Sequence, residues 1–488
     1  MKDNNQQQNN IKNKAISGFL WRFFERCGAQ GVTLIVSIVL ARLLDPEVYG
    51  TIALVTVFTV ILDVFVNSGF GNALIQKKDA DDLDFSSVFY FNVVMCIALY
   101  ALLFALAPVV ANFYKNQDLI AIIRVLGLTL IISGVKNIQQ AYVSKNLLFK
   151  KFFFATLGGT VGAAVLGIWM AYKGYGVWAL VAQNLFNGAV DTIILWITVK
   201  WRPKWMFSFE RLKSLFSYGW KLLVSNLLDT TYNQLRQLII GKMYTEADLA
   251  FYNKGTEYTH PIITNINSSI DSVLFPVMSD AQDSTYTVKM MTRRAIKTSS
   301  YIIWPIMMGV AACAEPLVRL LLTEKWLPCV PFMRVFCIVY AFWPIHTANL
   351  NAIKALGRSD IFLRLEIIKK VVGFALLFVT MWFGPLVMAY SMLFTSITSQ
   401  IINAWPNRKL LGYKYGQQIK DILPSIMLSA VMFAVAFCVQ LLGLKDWLTL
   451  LIQIPLGVFV YVAGSVLLKF ESFGYILATA NGFLKRGQ

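Results

Sequence analysis

The stretch IIRVLGLTLIISGVKNIQQAYVSKN, residues 122–146, has the apolar weight of a membrane helix. Yet it holds Arg124 and Lys136, with no acidic residue three or four positions from either. A counterpart, FMRVFCIVYAFWPIHTANLNAIKAL, begins at residue 332. At a constant shift of 210, Arg124 falls on Arg334, Val125 on Val335, Lys136 on His346 and Gln139 on Asn349. Upstream, APVVANFY (107–114) matches EPLVRLLL (315–322), and SGFLWRFF and SYGWKLLV open the two halves. ARLLDPEVYGTIAL (41–54) resembles GKMYTEADLAFYNKG (241–255) at a shift nearer 200. Chance likeness between apolar segments matches hydrophobic positions cheaply; matched polar positions point to an internal duplication.

The rest of the chain has the same character. Of 488 residues, 57% are hydrophobic and 14% charged, against about 25% charged in a soluble domain. Apolar runs of the ~20 residues that a bilayer requires recur from end to end, among them VVMCIALYALLFALAPVV and LTLLIQIPLGVFVYVAGSVLL. The expected fold is an all-α polytopic integral membrane protein of about 14 transmembrane helices, over 16–41, 48–74, 85–111, 120–143, 152–172, 175–199, 213–240, 250–276, 294–314, 331–353, 362–383, 385–405, 421–442 and 447–468. A membrane barrel would show ~10-residue alternating segments instead. Helices 1–6 and 7–12 form two lobes. Six is an even number, so the lobes are parallel repeats, an arrangement that places substrate between two rocking halves in transporters. Helices 13 and 14 have no counterpart and form an appended pair. The expected divisions are a polar cytoplasmic tail (1–14), an N-terminal lobe (15–200), a C-terminal lobe (211–408), the appended pair (420–468) and a cytoplasmic amphipathic tail (469–488).

A net charge of +18 invites a nucleic-acid reading, which its distribution argues against. Connections alternate in basicity: one set holds Lys145, Lys150 and Lys151, then Lys200, Arg202 and Lys204, then Arg293, Arg294 and Lys297, while the opposite set is sparse. Such a bias marks the cytoplasmic side and puts both termini there, with anionic membrane lipids as its partner. The N-terminus lacks an apolar core and a cleavage site, so a signal peptide is not expected. Six scattered cysteines without a C-x-x-C read as buried thiols, not as disulfides or a metal site.

A charge at the centre of a membrane helix costs ~2.5–3.5 kcal/mol on insertion scales, so intramembrane polar residues need a cavity, a partner or the interface. The seventh span carries Lys221, Asn226, Asp229, Tyr232, Asn233 and Arg236, and steps of three and four put most of them on one stripe. The eighth carries Lys254, Glu257, His260, Asn267 and Asp271, with Pro261 breaking the backbone midway. A polar stripe beside a kinked polar helix describes a watered cavity. Counting Arg124, Lys136, Lys221, Arg236, Lys254 and Arg334 against Asp63, Asp229, Glu257 and Asp271, basic groups lead slightly. That sign favours an anionic substrate, with Arg124 and Lys136 opposite Arg334 and His346. The bland alternative for Arg124 and Arg334 is that they snorkel at helix ends.

With these residues in view, the chain resembles the multidrug/oligosaccharidyl-lipid/polysaccharide exporter superfamily, within it the polysaccharide-transport flippases of capsule, colanic-acid and O-antigen type. LLDPEVYG (43–50) and the basic PFMRVFCI stretch (331–338) carry the likeness. The resemblance implies a polyprenyl-pyrophosphate-linked oligosaccharide as cargo, moved across the bacterial inner membrane. It also implies a polysaccharide polymerase and chain-length machinery as partners. The pyrophosphate would meet the cations, and the sugars would meet Asn226, Asn233 and Asn349, among others. Coupling to a proton or sodium gradient is implied too, with Glu257, Asp63 and Asp271 as candidate sites. No catalytic residue, metal or cofactor is expected. Two alternatives remain at this point: a multidrug or other organic-solute antiporter of the same fold, and a membrane polysaccharide polymerase or glycosyltransferase. The enzyme would need a larger extramembrane segment than the connections offer, and no phosphate-binding glycine loop or nucleophile motif is present.

Overall fold

Gly50, the last residue of the LLDPEVYG signature, has no room for a side chain: a Cβ there would lie 1.9 Å from the carbonyl oxygen of Glu246. That contact helps to define the first of two compact units, Met1–Leu249 and Ala250–Gln488. The computed structural model describes the backbone of residues 2–67, 70–77 and 79–486, and their side chains except at 2–20, 22, 23, 72, 218, 221 and 479–486. No strand occurs among the described residues.

The first unit runs through α1 (Lys2–Leu43), α2 (Pro46–Asn67), α3 (Phe70–Gln76), α4 (Asp82–Tyr114), α5 (Asp118–Leu126), α6 (Leu128–Lys145), α7 (Lys150–Tyr172), α8 (Val177–Thr198) and α9 (Phe209–Met243). The unit boundary falls inside α10 (Glu246–Glu257). The second unit continues with α11 (His260–Asp280), α12 (Thr285–Leu322), a 3₁₀ segment (Glu324–Cys329), α13 (Val330–Ala341), α14 (Trp343–Ala355), α15 (Ser359–Thr380) and α16 (Pro385–Ala404). It closes with α17 (Asn407–Leu410), α18 (Tyr415–Cys438), α19 (Asp446–Leu467) and α20 (Glu471–Arg486). In the first unit α7 packs on α8 and α1, α4 on α6, and α9 on α2; in the second α12 packs on α18, α13 and α19, and α11 on α14.

Helix starts follow local chemistry. Asp81 caps α4: its side chain accepts from the Asp84 N–H at 2.9 Å, and the Asp84 carboxylate accepts from the Asp81 N–H at 3.2 Å, a reciprocal capping box. That Asp84 N–H holds the Asp81 carboxyl below the usual aspartate range. Ser208 and Ser284 cap α9 and α12 one way only, their hydroxyls accepting from the N–H groups of Arg211 and Thr287.

Eleven helical segments among the described residues are long and apolar enough to cross a membrane. The other three of the fourteen expected spans correspond to α9, α11 and α15, of 35, 21 and 22 residues. They carry the polar and charged residues that lower their hydropathy. Outward-facing side chains such as Val94, Val165 and Ile197 in the first unit, and Val458 and Phe459 in the second, are apolar and exposed, as a lipid-facing surface requires.

The expected span 120–143 is broken into α5 and α6 at Gly127, where a Cβ would lie 2.8 Å from the carbonyl oxygen of Ile123 and 3.2 Å from the Tyr100 and Leu103 side chains of α4. Its repeat partner, expected over 331–353, is broken between α13 and α14, where Pro344 supplies no N–H to continue the ladder. Span 48–74 gives α2 and the short α3. The interruption anticipated at Pro261 separates α10 from α11, with the proline in the first turn of the new helix.

Glu246 closes the signature contact by accepting from the Thr51 hydroxyl at 2.8 Å and from the Asn116 side-chain amide at 2.6 Å. Gly50→Val is expected to destabilise the protein by about 2 kcal/mol or more through overpacking, read as a lowered thermal midpoint in detergent. Gly31→Ala, with nothing within 4 Å of the added carbon, should leave the midpoint unchanged or raise it.

Candidate functional site

The first unit gathers polar side chains from three apolar helices. On α6, Ser133, Lys136 and Asn137 share one face by their spacing, and on α2 Asp63 and Asn67 do the same. The Lys136 ammonium lies 3.2 Å from Asp191 Oδ2 on α8, in a pair whose side chains are only 21% and 12% exposed. Asn137 Nδ2 donates to Asn67 Oδ1 at 2.5 Å, and Asn67 Nδ2 donates to Asp63 Oδ2 at 2.5 Å. Ser133 also hydrogen-bonds Asp63, on which the Lys136 charge acts as well. One cation therefore serves two carboxylates. Asp63 Oδ1, Asn137 Oδ1 and Asp191 Oδ1 are buried without a hydrogen-bond partner among the described residues, so the cluster keeps acceptor capacity.

A second feature of the same unit is the outer face of α9. Asn226, Asp229 and Asn233 are exposed, Arg236 is half-buried, and Asn233 Nδ2 donates to Asp229 Oδ2 at 3.2 Å. Asp229 and Arg236 both act electrostatically on Tyr232. Exposed amides and charges on a helix of membrane length are the reverse of the apolar faces on its neighbours. Lys221 lies on this helix, but its side chain is outside the described residues.

Arg124 is placed apart from the cluster. Its guanidinium carbon lies 4.1 Å from the centroid of the Phe104 ring, and Tyr100 donates to its backbone carbonyl at 3.1 Å.

In the second unit, Lys254 is buried and pairs with the exposed carboxylate of Glu257 at 2.7 Å. Its ammonium lies 5.5 Å from the Trp326 ring centroid. One turn on, His260 is exposed, with its ring centroid 5.5 Å from those of both Tyr340 and Trp343. α11 also exposes Asn265, Ser268, Ser269 and Ser272, while Asp271 accepts from the buried Asn351 at 2.8 Å. Lys254, Glu257 and His260 are thus brought together, and Asp271 belongs to the α11–α14 contact.

Arg334 shares Glu315 with Arg319, at 3.8 and 3.2 Å. His346 reaches Ser396 at 3.4 Å and Asn403 at 3.3 Å on α16. Asn349 is fully buried, donating to Gln418 at 2.9 Å and accepting from Asn407 at 2.7 Å. These three residues hold their own helices together.

Ser133 and Asn137 escaped the sequence reading although both lie in the opening stretch; their i−3 and i+1 spacing from Lys136 was the available signal. Gln418, Asn407 and Asn403 also escaped, because nothing local links them to α14.

The chain is thus an all-helical membrane protein with an exposed hydrogen-bonding face in each unit, and its fold is found among solved structures. The fold is similar to that of a lipid II flippase MurJ in an inward closed conformation, with a TM-score of 0.73 at 14% identity over 93% of this chain and 98% of that one. It is also similar to an inward-facing multidrug resistance MATE family transporter of the MOP superfamily, with a TM-score of 0.61 at 16% identity over 78% and 94%. Residues 39–331 match the family described as "Polysaccharide biosynthesis protein", and the chain belongs to that family. Relatives include the teichuronic acid biosynthesis protein TuaB of Bacillus subtilis (strain 168), 23% identical over 78% of this chain and 80% of its own length. The lipopolysaccharide biosynthesis protein WzxC of Escherichia coli (strain K12) is 22% identical over 88% of each. The succinoglycan biosynthesis transport protein ExoT of Rhizobium meliloti (strain 1021) is 20% identical over 72% and 71%. The chain is a multi-pass membrane protein with eleven candidate spans among the described residues.

Removing Lys136 alone leaves Asp191 charged and poorly solvated. Lys136→Met is expected to destabilise the protein by about 3 kcal/mol, and adding Asp191→Asn should recover most of that loss. Thermal midpoints of the two single variants and the double variant in detergent read the coupling; additive losses would show that the pair does not act as a unit.

Proposed function

We propose that this protein moves a polyprenyl-pyrophosphate-linked oligosaccharide across the bacterial inner membrane, with both termini in the cytoplasm. The observation that carries the reading is the exposed polar face of α9, where Asn226, Asp229, Asn233 and Arg236 stand on a membrane-length helix of a polysaccharide-biosynthesis family member. Amides and carboxylates suit sugar hydroxyls, and a guanidinium suits phosphate oxygens as a fork of donors. A polyprenyl chain needs no protein cavity, because lipid already solvates it. The relatives' names support the cargo class: teichuronic acid, lipopolysaccharide and succinoglycan are all built from saccharides.

Lys221, beside this face in sequence, and the exposed His260 in the second unit are further substrate contacts in this reading, while the buried Lys254 acts through Glu257. Arg124, Lys136, Arg334, His346 and Asn349 act more indirectly, since each is held by a partner or ring within its own unit. Ion coupling is assigned to Asp63 and Glu257, each an intramembrane carboxylate that meets the charge of a lysine. Asp63 feels the charge of Lys136 and Glu257 pairs with Lys254, so a proton or sodium ion arriving at either site changes the charge that a lysine meets. Such a change biases one conformation over another only through differential affinity. Asp271, bonded to Asn351, serves as a hinge contact between α11 and α14. A polymerase and chain-length machinery would receive the exported unit.

Arg236→Gln should leave the protein inserted and abundant while lowering saccharide export in a complemented deletion strain by about tenfold, the loss of one charge-assisted contact. Unchanged export with normal protein levels would remove α9 from the transport path.

A further inference from the structure

The start of α12 holds a basic pocket lined by none of the residues proposed to meet the cargo. Arg293, Arg294 and Lys297 line a cavity of about 590 Å³ closed on one side by Glu471 and Tyr475 of α20, with Met290 in its wall. That volume falls in the range of sites for small ligands.

Depth fixes what surrounds the pocket. Seventeen uncharged residues, 298–314, separate Lys297 from Glu315 on α12. At 1.5 Å per residue they span about 25 Å, most of the hydrocarbon thickness, so Arg293–Lys297 stand at the level of the lipid headgroups. The C-terminal helix is held there by its apolar side. Phe470, Phe473 and Ile476 pack against a buried cluster of Tyr301, Leu428, Met432 and Tyr461.

The charges are unevenly satisfied. Asp421, with a side chain only 6% exposed, takes Arg293 through two bonds of 2.7 Å and the Tyr413 hydroxyl at 2.7 Å. Lys297 lies 3.7 Å from Asp421 and 2.8 Å from Glu471, whose side chain is 77% exposed. The Lys297 ammonium holds the Glu471 carboxyl below the usual glutamate range. Arg294 makes no ion pair with any described residue; its guanidinium carbon lies 4.4 Å from the Tyr475 ring centroid. Three cations thus face two carboxylates, one of them locked inside and the other an exposed, weakly bound competitor.

We propose that this pocket binds the phosphate headgroup of an anionic phospholipid from the leaflet on the side of the C-terminal helix, with Arg294 and Lys297 taking the phosphate and Glu471 displaced from Lys297. The methionine wall, the tyrosine and the depth in the bilayer select a lipid over a soluble anion. Arg293, tied to Asp421, keeps the pocket floor in place when Glu471 leaves. The site does not depend on what the protein transports.

The test uses the full chain in nanodiscs of mixed phosphatidylcholine and phosphatidylglycerol, with retained lipid measured by native mass spectrometry. Selective retention of phosphatidylglycerol is expected. Arg294→Gln with Lys297→Gln should cut it at least tenfold, since each cation near a membrane surface contributes about fivefold, and Glu471→Gln should raise it severalfold by removing the competitor. The opposite sign of the two variants separates binding from misfolding. Equal retention in the double variant, reduced retention in Glu471→Gln, retention of both lipids alike, or full displacement by excess inorganic phosphate would overturn the proposal.

Discussion

In hydrocarbon there is no water to complete a hydrogen bond, so every polar side chain on a spanning helix must find a partner within the protein or face a wet surface. This constraint sorts the polar residues of the chain into two kinds. Asn349, Gln418 and Asn407 satisfy one another with no exposed surface, and such networks fix which helices lie side by side. Asn226, Asn233 and Asp229 are instead exposed, on a helix whose neighbours present valine, leucine and phenylalanine. A helix that leaves amides and a carboxylate exposed is stable in a membrane only if that face meets water or ligand.

Charge follows the same division. Lys136 is shared between Asp191 and the field of Asp63, Lys254 is matched by Glu257, and Arg334 shares Glu315 with Arg319. Among the described residues these cations have carboxylate partners within their own unit, and each pair ties two positions of that unit together. The interruptions between α5 and α6, α10 and α11, and α13 and α14 lie in helices that carry such residues. Broken helices of this kind supply backbone groups and pivots where a straight helix would supply neither.

Fold class was legible because it depends on quantities the sequence states directly: apolar run length, loop basicity and a repeat with matched polar positions. Pro261 announced its break by chemistry. The Gly127 break did not, since a glycine inside an apolar run also reads as a packing position, and its meaning depends on Tyr100 and Leu103 of α4. At the site, Lys136, Asp63, Lys254 and Glu257 stood out as charges in apolar segments. Their partners were harder to see: Asp191 lies 55 residues from Lys136, and nothing local ties Asn137 to Asn67, 70 residues away. Arg334 and His346 were legible as unusual, but only the three-dimensional neighbours Glu315, Ser396 and Asn403 show them engaged within their own unit.

The central claim is that the open polar faces accept a saccharide carried on a lipid phosphate. The most direct measurement is transbilayer movement of a polyprenyl-pyrophosphate-linked oligosaccharide in proteoliposomes, read as the fraction that becomes accessible to a membrane-impermeant sugar-oxidising reagent. Protein-dependent movement of this lipid, with none of a cationic dye, is the predicted result. Movement of the dye with the saccharide lipid confined to one leaflet would contradict the account.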